Sequence, residues 1–463
     1  MSERPQPERL RETMSLPRSL EMADFHVELP DDLVREIQEL REVEESEYIE
    51  TVRPILRAIM ANIRRVEGEK IRGDKWVYHM LPDPNDPERN NPLVVLPGHG
   101  CGYEKASGGC SMCNFAGEGR DATKQDVDEA MDFLISNQED HFVHKINLNA
   151  LGSFFHDKEL TPDLRSYIYQ RIREYAEKVG DKGLVLFVTE GRLDHITDKK
   201  MKEMRDGIGE HVLLDVGVGV ESTDPLVRET IINKGLPENW EKRLQIIKEY
   251  QPVNVETHII FGTPFLDESQ TIRDTVKSVK DMIEISESEG DSRDLVLFMV
   301  MNRKPGTLTE YLARGDQYQL PNLMATAEAL LKIGELVSLD SLKHVMVFGL
   351  VGPDVHAEAG TQYVGEDTES AELKAIHEIL LNWRGLPEDL DKLRSAFDAV
   401  PKEIRTAVGY HGPYEGVGLT KEEKKDLRTT VAEAYYRLVT TFFPHLEGLS
   451  FEEISQYFKK VKV

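Results

Sequence analysis

The sequence predicts an α/β fold, a partial (β/α)6 barrel with helical N- and C-terminal extensions, and two observations carry that prediction. Between about Asn91 and Arg303, short apolar or β-branched runs alternate with longer amphipathic stretches. Largely apolar strands separated by helices build βαβ units around a parallel sheet. The runs then stop at six, short of the eight units that close a barrel.

Taken in order, residues 1–90 form an N-terminal extension, with a helical stretch over about 31–65 marked by Leu33, Ile37, Leu40, Ile55 and Ile59 at helical spacing. The proline-rich segment 81–87 then reads as a loop. Residues 91–320 form the barrel, with strands expected at 93–96, 145–151, 184–189, 212–220, 254–261 and 295–301. Helices fall between them at 123–136, 162–177, 225–233, 240–250 and 269–286. Thr161-Pro162 and Asp224-Pro225 are start signals, a side-chain acceptor followed by a proline suited to the first helical position. Residues 321–463 read as mostly helical, with one further apolar run at 345–351 and aromatic residues Tyr435, Tyr436, Phe442 and Phe443.

Composition narrows the class. No run approaches the roughly 20 apolar residues that cross a bilayer, and 1–21 lacks the apolar core of a signal peptide. A cytoplasmic location and no membrane partner are therefore expected. The formal net charge is −27, from 84 acidic and 57 basic residues, which repels polyanions and weighs against a general RNA binder. Basic strips at Lys199, Lys200, Lys202 and Arg205, and at Lys421, Lys424 and Lys425, read as solvated helix faces.

The chain has three cysteines, all between positions 101 and 113. An odd, clustered set argues against a disulfide framework and for a metal or cluster site. The loop runs Pro97-Gly98-His99-Gly100-Cys101-Gly102 and on to Gly108-Gly109-Cys110-Ser111-Met112-Cys113, directly after the first barrel strand. Barrel active sites are built at that end of the strands. Three thiolates on one loop can hold three irons of a [4Fe–4S] cubane and leave the fourth open for S-adenosylmethionine (SAM). A zinc site with His99 as fourth ligand stands beside this reading, and with it a zinc-stabilised, non-catalytic binding protein. Buried thiols without a metal are the remaining alternative.

The spacing Cys101-x8-Cys110-x2-Cys113 resembles the radical SAM branch that contains the Elongator catalytic subunit, and more closely the radical SAM subunit of archaeosine synthase. The resemblance extends over roughly 91–320. It takes in Asn149–Phe154, Thr189–Asp194 (with leucine where the family has proline), Val218–Ser222 with Ile231–Gly235, His258–Pro264 and Met301–Leu308. It implies that Cys101, Cys110 and Cys113 ligate the cluster, and that Gly152 and Ser153 line the SAM methionine. By the same resemblance, Glu190, Arg192 and Glu221 contact its polar groups, and Gly262 and Pro264 shape the adenine edge.

The implied activity is reductive cleavage of SAM, giving a 5′-deoxyadenosyl radical that abstracts hydrogen from a substrate. A tRNA-linked lysine adduct, as in archaeosine synthesis, is the first substrate class implied, with a partner subunit that makes the adduct and flavodoxin or ferredoxin as reductant. The acidic charge suits a small molecule or peptide better. No acetyltransferase-like domain follows the barrel, so the Elongator activity is not implied. Asp354-x-His356 hints at cobalamin, but the spacing after it is wrong.

Overall fold

In the computed structural model, residues 22–67, 71–73, 76–83, 86–114, 117–138, 142–287, 294–350 and 370–461 are described. The polar stretch 1–21 and the Asp354–His356 pair lie outside them. Among the described residues ten strands occur: β1 Ile71–Gly73, β2 Val77–Asp83, β3 Asp86–Val95, β4 Gly117–Gly119, β5 Val143–Asn149, β6 Leu184–Glu190, β7 Leu213–Glu221, β8 Val253–Phe261, β9 Leu295–Val300 and β10 Val345–Phe348. β1 and β4 form a small parallel pair. The other eight form one sheet in the order β10-β9-β8-β7-β6-β5-β3-β2, parallel throughout except for β2.

The six expected strands are thus present as β3 and β5 to β9, in sequence order, and the sheet is that of a partial barrel. β10, from the run at 345–351, adds a parallel strand at one edge. One expectation needs correction. Residues 81–83 and 86–87 are not loop but the turn end of the β2–β3 hairpin, with a register shift at Pro82/Asp83. Prolines fit there because β2 is an edge strand, whose outward N–H groups need no ladder partner.

Helices cover the outer face of the sheet. Thr161 Oγ1 accepts from the Leu164 N–H at 3.3 Å, and Asp224 Oδ1 from the Leu226 N–H at 3.0 Å. These contacts start the helices Pro162–Val179 and Pro225–Thr230 where the sequence places them. Alternate strand residues (Ile146 and Leu148, Val185 and Phe187, Leu214 to Val220, Val253 to Phe261) enter the core beneath these helices. Several of the intervening positions, on the lumen face, are polar: Lys145, Asn147 and Asn149 on β5, Glu190 on β6, Asp215 on β7, Glu256 and His258 on β8. Asn254 Nδ2 donates to Asp215 Oδ1 at 2.7 Å, so this face has its own hydrogen bonds. β5, β7 and β8 are therefore two-sided, while β6 is apolar on both faces up to Val188.

The N-terminal helical stretch breaks into Asp31–Leu40 and Glu45–Glu67. With the C-terminal helices Lys421–Phe442 and Phe451–Lys460 it builds a second core, separate from the barrel core, which includes Cys110.

Candidate active site at the barrel mouth

The cysteine loop leaves β3 as expected, with the Leu96 N–H donating to the Asn149 carbonyl at 2.8 Å. Cys101 stands just before the short helix Gly102–Ser107, and Gly108 ends that helix in a left-handed conformation. None of the three cysteines is in a disulfide; Cys110 is buried, Cys101 and Cys113 half-buried. Burial first, then the Glu159 carboxylate and Cys113, push the Cys101 thiol up to about 12. A metal centre must therefore displace its proton to bind.

The segments named from sequence converge on this loop. A side chain at Gly152 would overlap the Glu159 carboxylate and come within 2.8 Å of the Cys101 Cα, so this glycine lets the two loops touch. Glu159 bridges them: Oε1 accepts from the Gly102 N–H at 2.7 Å, and Oε2 accepts from the Ser153 N–H. Ser153, itself buried, accepts through Oγ from the Arg192 N–H at 3.0 Å. Glu190 lies at the end of β6, its backbone N–H donating to Asn149 Oδ1 at 2.7 Å, and its side chain borders Gly217 in the lumen.

Arg192 is buried and reaches across the mouth. Its guanidinium stacks 3.7 Å above the Tyr103 ring, bonds Asp194 at 3.0 Å and donates to the Lys234 carbonyl at 2.9 Å. Glu221 has φ of 70° at an irregularity of β7, and its Oε1 accepts from Lys234 Nζ at 2.7 Å, both side chains being buried. Burial opposes charge on Lys234, but Glu221 and Cys110 carry its pKa above the ordinary lysine value. Gly262 and Pro264 follow β8 on the same rim, where the Gly262 carbonyl accepts from Tyr318 and the Pro321 ring covers the glycine at 2.7 Å from a would-be Cβ.

Several residues at the mouth escape sequence reasoning. Glu159 precedes the Thr161-Pro162 start signal and reads there as an ordinary loop carboxylate. His156 bonds Glu159 at 2.8 Å through Nδ1 and stacks on His195 at 4.2 Å, a pairing between loops that no local pattern announces. Arg64, in the last turn of its helix, reads as a partner of the helix dipole. In the structure it reaches the cysteine loop.

The residues present suit an iron–sulfur cluster. Thiolates are the donors such clusters take. The buried Arg192 guanidinium lies close enough to Cys101 and Cys110 to feel their charge and can offset an anionic group there, whereas Lys234 is already paired with Glu221. His99, the fourth ligand of the zinc reading, is paired with Asp121 at 3.2 Å. Among the described residues, no three His, Cys, Asp or Glu side chains, the three cysteines included, are already grouped as a metal site.

Most of the basic strips prove to be matched. Lys199 pairs with Glu203, Lys200 with Asp157 and Lys202 with Asp206, while Arg205 is spent on the carbonyls of Tyr250, Val212 and Pro252. Lys424 pairs with Glu45 and Asp224, and Lys425 with Glu42. Among the described residues, no helix is long and apolar enough to cross a membrane.

Fold and mouth together define the class: a partial β/α barrel with a three-thiol loop at the C-terminal ends of its strands. No protein-family profile matches the chain. It is similar to archaeosine synthase subunit beta of Methanosarcina acetivorans, 23% identical over 240 residues covering 51% of this chain and 65% of that protein. An uncharacterised protein of Methanocaldococcus jannaschii is 25% identical over 247 residues, 52% of this chain and 63% of that one. The matches thus span somewhat less than two thirds of these curated relatives. A solved radical S-adenosylmethionine methyltransferase from Kitasatospora setae aligns over 65% of this chain and 61% of its own, at 16% identity and a TM-score of 0.36. The archaeosine synthase relative bears out the resemblance carried by the cysteine spacing.

Proposed function

We propose that the chain is a radical SAM enzyme, with Cys101, Cys110 and Cys113 holding a [4Fe–4S] cluster. One observation carries this reading: Glu159 ties the cysteine loop to the Gly152-Ser153 segment through the Gly102 and Ser153 N–H groups. A cluster ligand and a backbone suited to SAM thereby share one corner of the mouth. When bound, the cluster supplies the electron that cleaves SAM to methionine and a 5′-deoxyadenosyl radical, which abstracts hydrogen from a substrate.

The chain's own residues bind and orient. Gly152 and Ser153 line the methionine part of SAM, and Glu190 meets its polar groups from the lumen. Arg192 and Glu221 complete that polar wall while they brace the Asn233–Gly235 turn. Gly262 and Pro264 bound the adenine. Similarity to an archaeosine synthase subunit supports a tRNA-linked lysine adduct as substrate, a partner subunit that forms it, and a flavodoxin or ferredoxin as electron donor. The net charge of −27 and the largely matched basic strips favour a second reading, a small-molecule or peptide substrate.

The test is anaerobic purification, reconstitution with iron and sulfide, and assay of 5′-deoxyadenosine release from SAM under dithionite. A brown protein with about four irons, whose release of 5′-deoxyadenosine is lost in Cys110→Ala, is the expected result. A colourless protein carrying one zinc and inert towards SAM would leave a zinc-stabilised binding protein instead.

A further inference from the structure

The back of the cysteine loop rests against the helix Glu45–Glu67, which comes from outside the barrel. Gly108 and Gly109 both have φ of 73°. A Cβ on Gly108 would stand 2.7 Å from the Arg57 carbonyl, and one on Gly109 would overlap the Arg64 guanidinium. At Gly108 the loop meets helix backbone directly, and at Gly109 the missing side chain leaves room for the Arg64 guanidinium. Arg64 is only 6% exposed, and its Nη2 donates to the carbonyls of both Cys110 and Cys113, at 2.6 Å each. Neighbouring carbonyls go elsewhere: Ser107 and Gly109 accept from Asn233 Nδ2, and Ser111 from the Thr309 N–H and Oγ1. Arg64 thus holds the carbonyls of two cysteines at once.

A guanidinium buried this deeply calls for an opposing charge. Glu104, at 3.9 Å from Nη1, is a distant partner, and the two carbonyls carry no net charge. A cluster bound by three thiolates would be anionic, because the thiolates outweigh the charge of the iron–sulfur core, and Cys110 and Cys113, whose carbonyls Arg64 grips, would be two of its ligands. We infer that Arg64 is a positioning residue for the iron–sulfur cluster, holding two of its three ligands in register and supplying a fixed positive charge behind them. The inference rests on the cluster reading proposed above, and it makes the N-terminal extension part of the cofactor site. Arginine suits the task because the two N–H groups of Nη2 are held in the rigid guanidinium plane, whereas a lysine ammonium on a flexible stem is not fixed in one orientation.

The test uses the full chain, reconstituted anaerobically, as wild type, Arg64→Met and Arg64→Lys. Three quantities are read: iron release to a ferrous chelator, the cluster midpoint potential from a redox titration followed by electron paramagnetic resonance, and the melting temperature of the iron-free chain. Arg64→Met is expected to release iron about 10- to 100-fold faster, the usual loss on removing an outer-shell partner of a metal ligand. Its midpoint should move to a more negative value, because the positive charge that favoured the reduced state is gone. Arg64→Lys keeps the charge, so its midpoint should stay near wild type while iron release is still accelerated.

Wild-type iron release and midpoint in a folded Arg64→Met variant would overturn the inference. If Arg64→Met does not fold, Arg64→Lys decides alone, and iron retention equal to wild type refutes the positioning role. A wild-type protein that takes up no cluster would instead sink the proposed function, so the two failures are distinguishable.

Discussion

The barrel core and the cap core are assembled by opposite strategies. In the barrel, each strand packs beneath helices close to it in the chain, as Ile146 and Leu148 of β5 pack with Ile168 and Ile172 of the helix that follows. In the cap, the helix Glu45–Glu67 meets Lys421–Phe442 and Phe451–Lys460, joined by Leu226, Ile231, Leu308 and Tyr311. Its polar ties run almost the length of the chain. Tyr48 Oη donates to the Arg428 carbonyl at 2.7 Å, and Arg428 Nη1 to the Arg41 and Val43 carbonyls. Loop-closure entropy grows only slowly with loop length, so such distant partners are affordable once enough apolar area is buried. The barrel presents the loops; the cap grips the one that carries the cysteines. The helix Glu45–Glu67 thus borders the cysteine loop, and the C-terminal helices pack against that helix.

A matched pair of truncations puts that difference under the most strain. Tyr435 and Ile172 are both fully buried, one in each core. Tyr435→Ala should cost about 3–5 kcal/mol and Ile172→Ala about 2–5 kcal/mol, measured by chemical denaturation. Tyr435 Oη also donates at 2.6 Å to the Thr230 carbonyl, in the segment whose Ile232 carbonyl accepts from the Ser111 N–H. Iron content after reconstitution should accordingly fall in Tyr435→Ala and hold in Ile172→Ala. Equal iron content in the two would erase the distinction between cap and barrel.

A smaller effect belongs to the barrel lumen. Burial and the carboxylates of Asp215 and Glu190 push Glu256 up to about 7, against the pull of Lys145. Folding therefore favours its protonated form. The stability it contributes is full below its ordinary value of 4.5 and is lost as pH rises through 7. Glu256→Gln should match wild type at about pH 4 and exceed it by about 1–2 kcal/mol at pH 8. Curves that stay parallel across that range would place the proton elsewhere in the lumen.

The least effect should come from the outer helices of the barrel. Lys202 and Asp206 form an exposed pair at 3.0 Å. Lys202→Gln should change stability by less than about 0.5 kcal/mol, and a larger loss in a thermal melt would show that this face is not merely solvated.

Much of the barrel was legible because its signals are local. Thr161-Pro162 and Asp224-Pro225 start helices through contacts within one turn. The apolar runs mark all seven strands of the parallel core, β10 included. The 81–87 segment misled because proline content says nothing about whether a strand lies at an edge. The polar lumen was missed for a related reason: β-branched runs hide which face an interspersed Lys145, Asp215 or Glu256 takes. At the mouth, the cysteines, Gly152 and Ser153 were visible as motifs, whereas Glu159 and Arg64 had no pattern to mark them.

The order of strands, the place of the cysteine loop after the first of them and the supply of three thiols on glycine-rich backbone are written in the sequence. Periodicity, caps and spacing act over a few residues and can be read without knowing what lies across the molecule. Tertiary structure alone decided that Arg64 grips the Cys110 and Cys113 carbonyls, that Glu159 joins two loops, and that Lys234 is neutralised by Glu221. Those pairings depend on which surfaces meet when distant apolar faces leave water, and the hydrophobic effect that drives them is non-directional.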